Sequence, residues 1–140
     1  IVADFQGIGG QIKHYFEGSK YKKIKFIQDS GKGTAGDLIH VKAHLNSKSP
    51  FVLWFVDNFS AIDIKKMVEN FKKYDSLVTI ATRKTRKEET GFALVKGGLV
   101  TEFNEKPVVK MHMSECLGIY VLGRDILKNI HLKLSKEALN

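Results

Sequence analysis

Four short groupings in this chain carry residue types that could do chemistry. Gly31-Lys32-Gly33-Thr34-Ala35-Gly36 places three glycines ahead of an apolar, helix-periodic stretch. Small residues at a helix N-terminus let a flat or anionic group approach unpaired backbone N–H donors. The spacing matches neither the phosphate-binding Gly-Lys-Ser/Thr loop nor a full Gly-x-Gly-x-x-Gly, and a tight strand-to-helix turn is the simpler account of the glycines. Asp57 closes the most apolar run, Phe51-Val52-Leu53-Trp54-Phe55-Val56. A carboxylate exposed at a strand end can ligate phosphate-bound magnesium, because a hard cation takes oxygen donors; it can equally cap the turn that follows. Glu105-Lys106-Pro107 joins a hydroxyl acceptor, a phosphate donor and a stiffening ring, which is also the composition of a solvated loop. His40 and His44 stand at i, i+4, but Val41 occupies the place of the acid in a His-Glu-x-x-His zinc motif, so a solvated or half-buried helix face is expected.

Cys116 is the chain's single cysteine, which excludes an internal disulfide and a cysteine-based zinc site. Set in Cys116-Leu117-Gly118-Ile119-Tyr120, it reads as an inert core thiol unless the fold brings a histidine beside it. A lone thiol also points to a reducing, cytoplasmic compartment. The 140 residues suit one domain, and a 43% hydrophobic, 27% charged composition is that of a globular chain rather than a disordered one. No apolar run reaches the roughly 18 residues of a membrane span, and Ile1-Val2-Ala3-Asp4-Phe5 lacks the basic start of a secretory signal. Lys and Arg number 23 against 15 Asp and Glu, a net charge of +8 that favours anionic partners. The basic groups, including Arg83-Lys84-Thr85-Arg86-Lys87, lack the aromatic interleaving of an RNA-binding strand, so neither nucleic acid nor membrane is the expected partner.

The elements that must hold these groups alternate between helix and strand. After a strand end at Ile1-Val2-Ala3, Ile8, Ile12, Tyr15 and Phe16 define a helix stopped by Gly18. Ile24 and Phe26 alternate as a strand, and the glycine-rich loop opens a helix carrying Leu38, Val41 and Leu45 that ends near Ser47 to Pro50. The run 51–56, apolar on both faces, predicts a central strand covered by helices on each side. Ile64, Met67, Val68 and Phe71 line a helix with Ser60 or Asp63 at its start. Leu77 to Thr82 reads as a strand, and 83–89 as a charged loop. Gly91 to Val95 and Leu99 to Phe103 flank Lys96-Gly97-Gly98, a strong hairpin signal. Cys116 to Leu122 is a last strand, before a helix from Asp125. The pattern predicts an α/β domain with a mostly parallel sheet and one antiparallel hairpin insertion, in which Asp57 and the glycine-rich loop share the crevice at the strands' carboxyl ends.

The order of these motifs resembles that of the sugar-phosphate nucleotidyltransferases, the family of mannose-1-phosphate guanylyltransferase and glucose-1-phosphate thymidylyl- and uridylyltransferases. Gly-Thr-Ala-Gly is followed by an apolar strand ending in Asp57, then Asp63, Val78-Thr79-Ile80-Ala81, the strand from Gly91, Phe103-Asn104-Glu105-Lys106-Pro107 and Gly118-Ile119-Tyr120-Val121-Leu122. The last two are the most specific, and the resemblance covers nearly the whole chain. It implies a Rossmann-like fold, with helices on both faces of the sheet, that transfers a nucleotide to a sugar 1-phosphate with magnesium, releasing pyrophosphate.

By the same resemblance Gly33, Thr34 and Gly36 hold the nucleobase and Asp57 binds Mg2+. Gly91 leaves room for the sugar, Glu105 binds its hydroxyls, and Lys106 lies near its phosphate; Asp57 and Lys106 are the catalytic candidates. Nucleoside triphosphate and sugar 1-phosphate are then the partners, and a homo-oligomer is compatible with the pattern. The chain departs from the family in Val56, where a glycine precedes the metal-binding acid, and in Cys116-Leu117, where Asn-Ala is usual. The triphosphate-binding loop is expected before Ile1 and a second metal-binding acid beyond Asn140, so residues 1–140 correspond to the central part of a single nucleotidyltransferase-like domain. A non-catalytic regulatory or scaffold relative, like the translation-initiation-factor subunits of this fold, is the alternative implied by the two departures.

Overall fold

The computed structural model describes residues 1–18, 20–21, 23–45 and 48–130, which fall into two compact units. The first comprises Ile1–Phe51 and the residues from Gly123 onward, and the second Val52–Leu122.

In the first unit β1 (Val2–Ala3) and β2 (Ile27–Gln28) pair in parallel, joined through α1 (Ile8–Glu17). The predicted helix and its stop at Gly18 both hold, whereas the strand is shorter than the alternation of Ile24 and Phe26 suggested. An edge-on aromatic pair, Phe5 and Phe26 with centroids 5.8 Å apart, ties the chain ahead of α1 to the approach to β2. Phe16 of α1 lies 6.2 Å from the same Phe26 ring. Then α2 (Gly33–His40) tightens into a 3-10 turn over Val41–His44. Leu38, Val41 and Leu127, the last on a helical turn at 126–130, are buried. The helical stretch was expected to run to residues 47–50; it ends at His44, where Leu45 turns extended.

The second unit is built on a three-stranded sheet of order β3-β7-β4, with β3 (Phe51–Trp54) entering from the unit boundary. β4 (Val78–Lys87) and β7 (Val108–Leu122) run antiparallel. Between them stands a separate hairpin, β5 (Phe92–Lys96) and β6 (Leu99–Asn104). Gly97 and Gly98, at φ 57° and 80°, make its two-residue turn, whose positive dihedrals match the strand twist. α3 (Ile64–Lys73) packs Met67 onto Ala81, Ile119 and Val121, with Ile64, Val68 and Phe71 flanking that core at helical spacing. Of the two predicted caps Asp63 is the one used, its carboxylate accepting from the Lys66 N–H at 3.0 Å.

Three expectations are corrected. The sheet is not mostly parallel among the described pairings: β1–β2 is parallel, but β4–β7 and β5–β6 are antiparallel. The reason is connectivity, since a parallel pair needs a long crossover and no helix separates β4 from β7. Only residues 51–54 of the run 51–56 form β3, which among the described strands takes an outer position in its sheet, with β7 in the centre; apolar composition does not fix neighbour order. The segment 83–87 continues β4, because its charges lie exposed on a two-stranded ribbon with residues 108–115 of β7. Arg83 reaches Glu115 at 2.6 Å there, and Arg86 reaches Glu88 at 2.7 Å.

Candidate functional site

The glycine-rich loop belongs to the first unit. Gly31 and Gly33 take φ of 65° and 68°, backbone that a side chain resists, so these glycines are required by the turn itself. Gly36 serves a different need. A Cβ there would stand 2.5 Å from Lys32 Cβ and 2.9 Å from Ser30 Oγ, so its absence lets the loop fold against the first turn of α2. Asp37 then pins the entry, accepting from both the Ser30 N–H and the Ser30 hydroxyl at 2.7 Å. The Ser30 hydroxyl in turn accepts from the Lys32 N–H at 3.2 Å. Thr34 stands in the first turn of the helix, where backbone N–H groups lack intrahelical partners. The loop is a tight turn that leads directly into the N-terminus of α2.

In the second unit Asp57 sits in the turn that leaves β3. Phe55 N–H donates to Gly118 O at 3.0 Å, Asn58 N–H to Phe55 O at 3.1 Å, and the Trp54 indole to Asn58 O at 2.9 Å. These bonds fix the turn while the Asp57 side chain stays exposed. Gly118, at φ 65°, lies where the β4–β7 register slips between the pairs at Ile80 and Thr82. A Cβ on it would stand 2.5 Å from Asn58 Nδ2 and 2.9 Å from Phe55 Cδ2, so the Asp57 turn rests directly on a glycine of β7. Val56 is 82% exposed and lies outside the positive-φ region, so this position makes no demand that only glycine could meet.

The hairpin brings Gly91, Phe103 and Glu105 together. Phe103, in β6, and Glu105, just past its end, both reach the space beside Gly91, and Phe103 pairs with Ala93 across the ladder. A Cβ on Gly91 would overlap Phe103 Cζ and lie 2.8 Å from its Cε2 and 2.9 Å from Glu105 Oε2. The room that Gly91 leaves is where the aromatic edge and the carboxylate sit side by side. Lys106 follows at φ 45°, a left-handed conformation immediately before Pro107. Such strain in a non-glycine residue persists only where its surroundings fix it, and it turns Lys106 out of the line of β6.

Gly33, Thr34 and Gly36 thus lie in one unit and Asp57, Gly91, Glu105 and Lys106 in the other. Cys116 is exposed rather than a core residue, and its sulfur lies 3.1 Å from the Tyr120 hydroxyl. That hydrogen bond, followed by burial, raises the Tyr120 pKa above its ordinary value. Strand alternation explains the exposure: Leu117, Ile119 and Val121 face the core, and Cys116 falls on the other face with Tyr120. His40 ends α2 and His44 ends the 3-10 turn, and among the described residues no three His, Cys, Asp or Glu side chains converge on a metal position. Sequence reasoning missed Ser30 and Asp37, whose contact spans a turn with no local signature. It also missed Phe103 as a neighbour of Gly91, which the strand period and the hairpin register would have shown.

The fold is shared with solved structures. A glucose-1-phosphate thymidylyltransferase, so named provisionally, from Bacillus anthracis and crystallised with sucrose superimposes with a TM-score of 0.60 at 21% identity, over 94% of this chain and 54% of that one. HddC from Yersinia pseudotuberculosis gives 0.57 at 18% identity, over 91% and 56%. The model of the nucleotidyl transferase family matches residues 11–139, and the chain belongs to that family. Its relatives include a Sulfolobus acidocaldarius protein provisionally named a mannose-1-phosphate guanyltransferase, 25% identical over 118 residues. The match takes in 83% of this chain and 33% of that relative, so the chain spans about a third of its length. Among the described residues no helix is long and apolar enough to cross a membrane.

Proposed function

We propose that the complete protein is a sugar-1-phosphate nucleotidyltransferase. A phosphate oxygen of the sugar 1-phosphate attacks the α-phosphorus of a nucleoside triphosphate, the bond from that phosphorus to the β-phosphate bridging oxygen breaks, and pyrophosphate leaves with an NDP-sugar formed. The reading is carried by the grouping of Gly91 with Glu105, whose carboxylate lies 2.9 Å from where a Gly91 Cβ would stand, in a chain of the nucleotidyl transferase family. Relatives named for mannose 1-phosphate and glucose 1-phosphate support the substrate class.

The residues divide the work by chemistry. Gly33, Thr34 and Gly36 present the N-terminus of α2, whose unpaired N–H groups suit the edge of a nucleobase. Glu105 accepts from sugar hydroxyls, and Lys106 donates to the sugar phosphate. Asp57 fits magnesium as a single exposed carboxylate, the donor set of an ion that otherwise keeps waters and phosphate oxygens. Bound there, magnesium would neutralise charge on the transferring phosphates. The reaction needs positioning and charge neutralisation more than covalent help, which suits a chain of net charge +8.

The test is pyrophosphate release by the complete protein with magnesium, each of several sugar 1-phosphates and each nucleoside triphosphate. Release with one pair, lost in Asp57→Ala, is expected; no release with any pair would refute the reading.

A further inference from the structure

The hairpin face that carries Glu105 holds a second group to which the proposed reaction assigns no part. Phe103 lays the edge of its ring over Gly91 and beside the Glu105 carboxylate, yet the residue is 61% exposed. Packing on the Gly91–Ala93 lane therefore uses only part of the aromatic surface. An exposed aromatic face next to a carboxylate suits a pyranose. The slightly positive C–H groups of the sugar meet the negative face of the ring, while its equatorial hydroxyls donate to the acid.

We infer that Phe103 is the platform on which the sugar ring of the sugar 1-phosphate lies, with Glu105 reading the hydroxyls at its rim. The inference rests on the transferase reaction proposed above and adds to it a determinant of sugar specificity. Gly91 acquires a defined part: its missing side chain lets ring and carboxylate approach one another closely enough to contact one sugar together. Sugars that present an unbroken C–H face are favoured, and an axial hydroxyl pointing into the ring is disfavoured.

The experiment is steady-state kinetics of the complete protein, varying sugar 1-phosphate and nucleoside triphosphate separately, for wild type, Phe103→Ala, Phe103→Leu and Phe103→Trp. Loss of one aromatic contact is worth roughly 3- to 10-fold in affinity. The expected result is a rise of that size in the KM for sugar phosphate in the Ala and Leu variants. The KM for the triphosphate should stay put, and Trp should restore the sugar KM. An unchanged sugar KM, equal rises in both KM values, or Leu performing as well as Trp would overturn the platform while leaving the reaction standing. If wild type releases no pyrophosphate with any pair, the reaction itself fails and the platform with it. Phe103→Leu preserves apolar cover over Gly91, so the Leu–Trp contrast separates stacking from hairpin packing.

Discussion

Gly118 couples the core sheet to the turn that carries Asp57, and Gly118→Ala measures that coupling. The residue sits at φ 65°, where an L side chain costs about 1–2 kcal/mol. Its new Cβ would also stand 2.9 Å from Phe55 Cδ2 and 3.3 Å from Phe55 Cβ, beside strand residues Ile119 and Val121 that are wholly buried. Overpacking of this kind adds about 1–3 kcal/mol, so a total of about 2–5 kcal/mol is expected. The third contact, 2.5 Å from Asn58 Nδ2, involves the tip of a movable side chain, which yields by displacing the amide next to Asp57. Urea unfolding of wild type, Gly118→Ala, Asn58→Ala and the double variant forms a cycle. Coupling of about 0.5–1 kcal/mol between the two sites is expected, because they touch. Turnover should fall by more than the loss of folded protein accounts for. A cost below about 1 kcal/mol, or strict additivity with Asn58→Ala, would refute the argument that the turn rests on this glycine.

Other consequences are separable. Gly91→Ala places its Cβ against the tips of the Phe103 and Glu105 side chains, which can swing away into solvent. Stability should change by less than about 0.5 kcal/mol, while turnover drops at least tenfold, on the order expected for displaced substrate contacts; thermal melts and pyrophosphate release on one preparation check this. Asp63→Ala removes the cap on α3 and should cost about 1 kcal/mol in urea unfolding. Arg83 hydrogen-bonds Glu115 and holds its carboxyl below the ordinary glutamate range. A lowered folded-state pKa gives stability that is present above the ordinary value and lost as pH falls through the folded one. The ribbon should therefore loosen as pH falls below the ordinary glutamate range, seen as faster amide exchange at 108–110, and Glu115→Gln should remove that pH dependence.

What was legible in the sequence followed from local rules. The amphipathic spacing of α3, its Asp63 cap and the Lys96-Gly97-Gly98 turn are short-range signals, and the structure has each where it was expected. The glycine-rich loop was legible for the same reason, since two of its glycines answer to positive φ. Neighbour order was not. The run 51–56 has the composition of a central strand, but which strands flank it depends on β7, more than fifty residues later. The extension of β4 through Lys87 was hidden because a two-stranded exposed ribbon needs no apolar alternation; its charges pair across the ladder instead. Cys116 misled because an apolar run does not say which alternate residues face the core: Leu117, Ile119 and Val121 do, and Cys116 does not. Of the candidate site, Glu105 and Gly91 were named separately, and their contact needed the hairpin register.

The central claim is nucleotidyl transfer to a sugar 1-phosphate, and phosphorus NMR of the complete protein with magnesium, a nucleoside triphosphate and a sugar 1-phosphate tests it most directly. The sugar monophosphate and triphosphate signals should fall together while the paired diphosphate resonances of an NDP-sugar and the single line of pyrophosphate rise in equal amounts. A sugar monophosphate signal that stays constant, with the triphosphate intact or hydrolysed to inorganic phosphate, would contradict it.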